Sequence, residues 1–174
     1  INPAATLALL VAGRFPARLL VPYVSAQLLG AAAASFLLDA VFGPQVRAGV
    51  TLPAGGLGQA VLVEAVITFW LLLVALRVCG PLAGVTVGST VTILALVGAT
   101  VTGASMNPAR SFGPALASGE WTAHWVYWLA PTIGALAAAA VNAVLQEHHH
   151  AESILEAARP QGARRSSPAP AAAG

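Results

Sequence analysis

Residues 103–114 read Gly-Ala-Ser-Met-Asn-Pro-Ala-Arg-Ser-Phe-Gly-Pro, and their reading decides the fold. Asn107 is a strong helix N-cap residue, and Pro108 falls at the first helical position, where a missing N–H costs nothing. A helix therefore starts at Asn107. It reaches only to about Leu116, because Ser118-Gly119 closes it. A bilayer crossing takes about 20 residues, yet a long apolar stretch lies on each side of this short helix. The pattern predicts a re-entrant half-helix whose N-terminus ends inside the membrane.

The chain's first residues repeat the signal. Ile1-Asn2-Pro3-Ala4-Ala5-Thr6-Leu7 parallels Met106-Asn107-Pro108-Ala109-Arg110-Ser111-Phe112, with an apolar residue before Asn-Pro-Ala in both. Two half-helices in separate halves of a membrane chain are the product of an inverted repeat. On these residues the sequence resembles the aquaporin (major intrinsic protein) family, which carries paired Asn-Pro-Ala motifs with Arg after the second. The resemblance covers about residues 1–145. It implies an all-α membrane protein, an inverted repeat whose two re-entrant half-helices meet at the pore centre of a six-span channel. The chain begins mid-motif and without Met. Against the family pattern four of six spans are present, so the expectation is an N-terminally truncated fragment. It comprises a channel domain at 1–145, missing its first two spans, and a disordered cytoplasmic tail at 146–174.

Composition agrees with a bilayer setting. The 174 residues are 57% hydrophobic and 8% charged, with mean hydropathy +0.79, whereas soluble domains carry about 25% charged residues. A net charge of +2 gives no footing for nucleic acid. The single Cys79 excludes an intrachain disulfide and a multi-Cys metal site. No metal and no cofactor are expected. The run His148-His149-His150 reads as part of a low-complexity tail rather than as a metal site.

In chain order, residues 2–12 form the first half-helix. Full spans are predicted at 19–38, 59–77, 82–99 and 124–145. A Gly- and Pro-bearing loop at 39–58 joins the first two, the Gly80-Pro81 turn the next pair, and the second half-helix precedes the last. Trp121, Trp125, Tyr127 and Trp128 cluster as an aromatic belt at one end of that last span. Arg14, Arg18, Arg77, Arg159, Arg164 and Arg165 fall on one side of the layout and Arg47 on the other. By the positive-inside rule the first side is cytoplasmic, and the half-helices enter from opposite faces of the cell (inner) membrane.

Asn2 and Asn107 carry the chemistry. A capping Asn accepts a backbone N–H from its own helix, which leaves its NH₂ free to donate into a lumen. Each half-helix also aims about +0.5 charge at the same spot. Such a pair admits neutral oxygen-bearing solutes and repels cations. A water held there donates outward in both directions, which breaks a proton-hopping chain. The plain alternative is two capped surface turns, and irregular backbone at membrane depth argues against it. Arg110, one turn inside the half-helix and flanked by apolar spans, is expensive unless it faces water; the alternative is a structural ion pair, and no acidic residue lies within a turn of it on the same half-helix.

The resemblance implies more. Asn2, Pro3, Ala4, Asn107, Pro108 and Ala109 are the pore motifs, and Arg110 lines the outer constriction. Ala95, twelve positions before Asn107, and Ala104, three before it, line it too. Water-selective members have His at the first of these positions. Two methyl groups instead imply a wider, less polar opening. Gly-Ser-Thr-Val at 88–91 and the second motif look similar to the nodulin-26-like branch and its bacterial relatives, which pass glycerol and metalloid hydroxides. The alternative is a water-selective channel in which both alanines merely pack. Glu64, a lone carboxylate inside a span, is a functional candidate by default. By resemblance it is instead a structural acceptor, like Gln27, for orphan N–H groups of the re-entrant segments. The implied partners are the lipid bilayer, water and small neutral solutes, and three further copies in a homotetramer.

Three other classes compete. Gly103-Ala104-Ser105 resembles part of the Gly-x-Ser motif of rhomboid intramembrane proteases, with His124 as a base, but Met106 replaces the second Gly. A structural junction protein would need tight extracellular loops. A coupled transporter would need ionisable groups along its path, and Glu64 alone offers one.

Overall fold

The structure, a computed structural model, describes residues 1–43 and 49–158, with side chains to His148. Among the described residues every regular element is helical. Helix α1 is Pro3–Val11, and a 3₁₀ turn at Ala17–Leu19 leads into α2, Leu20–Phe42. Helices α3, Leu57–Arg77, and α4, Ala83–Thr102, precede the short α5, Pro108–Ser118, and the long α6, Val126–Ala158. Four of these helices are long and apolar enough to cross a membrane, at Ala17–Phe42, Leu57–Arg77, Ala83–Thr102 and Val126–His148. At 9 and 11 residues, α1 and α5 are not.

Residues 1–142 form one compact unit. Its core is mostly small side chains. Ala4 and Ala8 of α1, Ile67, Leu71, Leu72 and Leu76 of α3, and Ala135, Ala138 and Ala139 of α6 pack with Ala104 and Met106. Small residues let apolar helices approach where no hydrophobic effect drives them together. Two glycines mark the closest approaches. A Cβ on Gly113 would fall 2.5 Å from Ala31 O, so α5 lies directly on the backbone of α2. A Cβ on Gly134 would overlap Ala65 O, which sets α6 on α3 in the same way. At one end Arg14 donates to Leu76 O at 2.6 Å, tying the turn after α1 to the last turn of α3.

Several helices run past the boundaries that the pattern predicts. The span predicted at 19–38 continues to Phe42, because Asp39 does not break a helix and the stop is Gly43 at φ +65°. The span predicted at 82–99 continues to Thr102 and ends on Gly103 at φ +80°. The last helix runs to Ala158, into the segment expected to be tail from residue 146. Residues 146–158 hold no Gly or Pro and include Leu, Gln, Glu and Ala, which are good helix formers. Arg47, Arg159, Arg164 and Arg165, used to orient the chain, lie outside the described residues.

Candidate functional site

The two Asn-Pro-Ala motifs fold alike. Asn2 sits at φ −163°, ψ 112°, and its side-chain oxygen accepts from Ala4 N at 3.0 Å and Ala5 N at 3.3 Å. Asn107 sits at φ −157°, ψ 110°, and accepts from Ala109 N at 3.0 Å and Arg110 N at 3.3 Å. The same local sequence has produced the same cap twice. The motifs meet tip to tip. Asn2 Nδ2 donates to Met106 O at 2.8 Å, and Asn107 Nδ2 donates to Ile1 O at 2.7 Å. The amides are therefore not wholly free: one N–H of each is engaged by the other motif. Each amide carries a second N–H beside the engaged one.

Both asparagines line a cavity of about 590 Å³, which also takes in Arg110, Ala95, Ala104 and Val91. The structure thus brings together the motif amides and the three constriction candidates. The prolines face elsewhere. Pro3 and Pro108 line a separate cavity of about 310 Å³ with Trp128 and Thr132, while Ala4 and Ala109 are buried.

Glu64 does not line the large cavity. It is fully buried beside the irregular segment 103–107. Its Oε1 accepts from Thr102 Oγ1 at 2.7 Å and Ser105 N at 2.8 Å, and its Oε2 from Met106 N at 2.8 Å. Thr102 Oγ1 accepts in turn from Ala104 N at 3.1 Å. Every N–H from 104 to 106 therefore points at Thr102 or Glu64. Across trans peptides, the carbonyls of residues 103–105 point the opposite way. Gly103, Ala104 and Ser105 line the cavity, so these carbonyls form a row of acceptors beside the amide donors. Ala104 at φ +45° and Met106 at φ +52° hold this shape, a conformation that costs about 1–3 kcal/mol per residue and needs outside support. The carboxylate supplies that support.

Gln27 is also buried, but it holds a side chain rather than backbone. Its Nε2 donates to Thr6 Oγ1 at 2.9 Å, and Thr6 Oγ1 donates to Asn2 O at 3.0 Å. Four positions after Asn107, Ser111 takes the place that Thr6 has after Asn2. Ser111 Oγ lies 2.6 Å from Ser105 Oγ and 2.7 Å from Thr51 Oγ1. These hydroxyls escape a motif search. Their one signal is the matched polar residue at the fourth position, which one helical turn places on the face of the capping Asn. Arg110 donates through Nη1 to Gly49 O, so a backbone carbonyl holds it from outside the helix.

The hydrolase reading finds no constellation. Ser105 Oγ donates to Asn107 O at 2.9 Å, and His124 Nε2 accepts from Trp128 Nε1 at 3.1 Å. No metal-binding group of His, Cys, Asp or Glu occurs among the described residues.

Known proteins resemble the chain over most of its length. The model of the major intrinsic protein family matches residues 1–142. Aquaporin NIP1-1 of Zea mays is 48% identical over 145 residues, covering 79% of this chain and 51% of the relative. Aquaporin NIP6-1 of Arabidopsis thaliana is 40% identical over 152 residues, covering 84% and 50%. The chain thus spans about half the length of these relatives. Among solved structures, the aquaglyceroporin from Plasmodium falciparum aligns with a TM-score of 0.71 at 23% identity, covering 79% of this chain and 69% of that one. That likeness is one of fold.

Proposed function

The chain belongs to the major intrinsic protein family, and we propose that it supplies the centre of a passive pore for water and small neutral solutes. Glycerol and metalloid hydroxides are the solute class. The observation that carries this is the tip-to-tip pair of half-helices at a cavity holding both amide donors and a row of carbonyl acceptors. A hydroxylic solute can donate to the carbonyls of 103–105 while it accepts from Asn2 and Asn107. Arg110 supplies a fixed positive charge and further donors, while Ala95 and Ala104 leave an apolar wall for a carbon backbone. The positive ends of two helices and Arg110 repel cations, and the opposed donors interrupt proton hopping.

Glu64 serves this pore as a scaffold, not as a transport group, because its lone pairs face backbone N–H groups rather than the cavity. Gln27 serves the first half-helix through Thr6. Arg14 and Arg77 fall at one end of the bundle, since Arg14 reaches Leu76 O, and that end is the cytoplasmic one. The intact protein resides in the cell membrane as a homotetramer. The test is osmotic swelling of vesicles holding the intact protein, with glycerol and water followed separately. Faster entry of both supports the reading. Water entry alone limits the pore to water, and entry of neither overturns it.

A further inference from the structure

We propose that Thr51, in the connection before α3, is a positioning residue for the pore constriction. Its hydroxyl ties that connection to α5 and so holds Asn107 and Arg110 at the cavity. The proposal rests on the pore reading above.

Thr51 is only 4% exposed although it lies between spans. Its Oγ1 meets Ser111 Oγ at 2.7 Å, and Ser111 Oγ meets Ser105 Oγ at 2.6 Å. Ser105 Oγ donates to Asn107 O at 2.9 Å. Each hydroxyl carries one proton. Ser105 gives its own to Asn107, so Ser111 donates to Ser105, and Thr51 Oγ1, which also faces the Tyr127 hydroxyl that donates to Thr102 O at 2.9 Å, pairs with Ser111. The hydroxyls thus join Thr51, itself beside Tyr127, through Ser111 to Ser105. The chain of hydroxyls ends on the backbone of the residue that caps α5.

The same connection reaches the pore side of α5. Gly49 O accepts from Arg110. Residues 49 and 51 therefore grip two consecutive residues of α5, Arg110 and Ser111, on different faces of the helix. The connection is itself anchored. Ala54 N donates to Val101 O at 2.9 Å. Thr51 packs against Gly103, where a Cβ would fall 3.1 Å from Thr51 Cγ2. Buried polar networks of this kind are rigid when every member is satisfied and lose that rigidity when one is removed. Without the Thr51 hydroxyl, the connection keeps its packing but loses its tie to α5. Gly49 O can then drift from Arg110, and the opening is no longer of fixed width.

The test uses the intact protein in vesicles. Thr51→Val keeps the shape and removes the hydroxyl, while Thr51→Ser keeps the hydroxyl. The glycerol-to-water permeability ratio of Thr51→Val shifts by about fivefold, the factor that a typical net hydrogen-bond contribution represents. Thr51→Ser stays at the wild-type ratio. An unchanged ratio in Thr51→Val, at equal protein in the membrane, overturns the proposal and leaves the pore reading intact. Absence of flux in the wild type overturns the pore reading itself. If Thr51→Val does not insert, Thr51→Ala and Ser111→Ala cut the same link. A shifted ratio in either supports the proposal, and failure of all three to fold assigns Thr51 to folding and overturns it.

Discussion

Asn2 Nδ2 donates to Met106 O at 2.8 Å, and Asn107 Nδ2 donates to Ile1 O at 2.7 Å, so each motif holds the residue that precedes the other's cap. The exchange joins two halves of the chain 105 positions apart by side chains that also cap their own helices. Asn2→Asp and Asn107→Asp each keep the capping oxygen and lose the donor. Asn2→Asp leaves the carbonyl of buried Met106 unpaired and is expected to destabilise the folded protein in detergent by about 1–3 kcal/mol, whereas Asn107→Asp, whose partner Ile1 is exposed, should cost less. The double variant should lose less than the sum, because both bonds belong to one contact. Additive losses would show that the two bonds act independently.

Glu64 is expected to govern folding more than selectivity. Its oxygens accept from Thr102, Ser105 and Met106. Glu64→Ala leaves two backbone N–H groups unpaired at about 1–3 kcal/mol each and should sharply reduce folded yield. Glu64→Gln keeps one acceptor oxygen but turns an NH₂ toward a donor, so its yield should be intermediate. Monodisperse protein per cell after detergent extraction measures this. Equal yields with lost transport in both variants would put Glu64 on the solute path.

His124 makes stability depend on pH. Its Nε2 accepts from Trp128 Nε1 at 3.1 Å, which only the neutral ring can do, and burial lowers its pKa from the ordinary value of 6.5. The folded chain therefore binds this proton less readily than the unfolded chain does. Stability is complete above about pH 6.5 and is lost as pH falls through that value toward the lowered folded pKa. Melting temperature in detergent should be flat above neutrality and decline on acidification. His124→Gln keeps an acceptor without the titration and should reduce the decline.

Ala95 should set solute size. It lines the cavity with Arg110 and Ala104, and its methyl leaves room. Ala95→His places a ring there and should cut glycerol flux about tenfold more than water flux, the discrimination expected where a site gains bulk against one substrate. Stopped-flow swelling with each solute measures the two rates. An equal loss of both would mean that Ala95 packs rather than filters.

The fold was legible where local chemistry is strong. Asn107-Pro108 and Asn2-Pro3 each declare a helix start, and the long apolar stretches declare the spans. Helix ends were less legible, since Asp39 and Thr100 stop nothing and the chain turns only where Gly43 and Gly103 take positive φ. The last helix extends past residue 145 because Leu, Gln, Glu and Ala carry it on, although low apolarity there suggested a tail. Glu64 stood out as a charge in an apolar run. Its partners did not, because two of them are backbone N–H groups of residues 105 and 106, whose direction is not written in side-chain identity, and the third is the hydroxyl of Thr102, 38 positions away. The carbonyl row at 103–105 and the tie of Thr51 to Ser111 were hidden for a similar reason: they depend on contacts 38 to 60 positions apart.

The central claim is passage of neutral solutes without ions, and one vesicle measurement tests it most directly. Osmotic shrinkage and internal pH are followed together in vesicles holding either the intact wild-type protein or its Arg110→Ala variant. The account predicts fast water and glycerol movement with no proton or sodium leak in the wild type. It predicts retained solute flux with a measurable leak in Arg110→Ala, which lacks the fixed charge held at the cavity by Gly49 O. A proton or sodium current through the wild-type protein would contradict it.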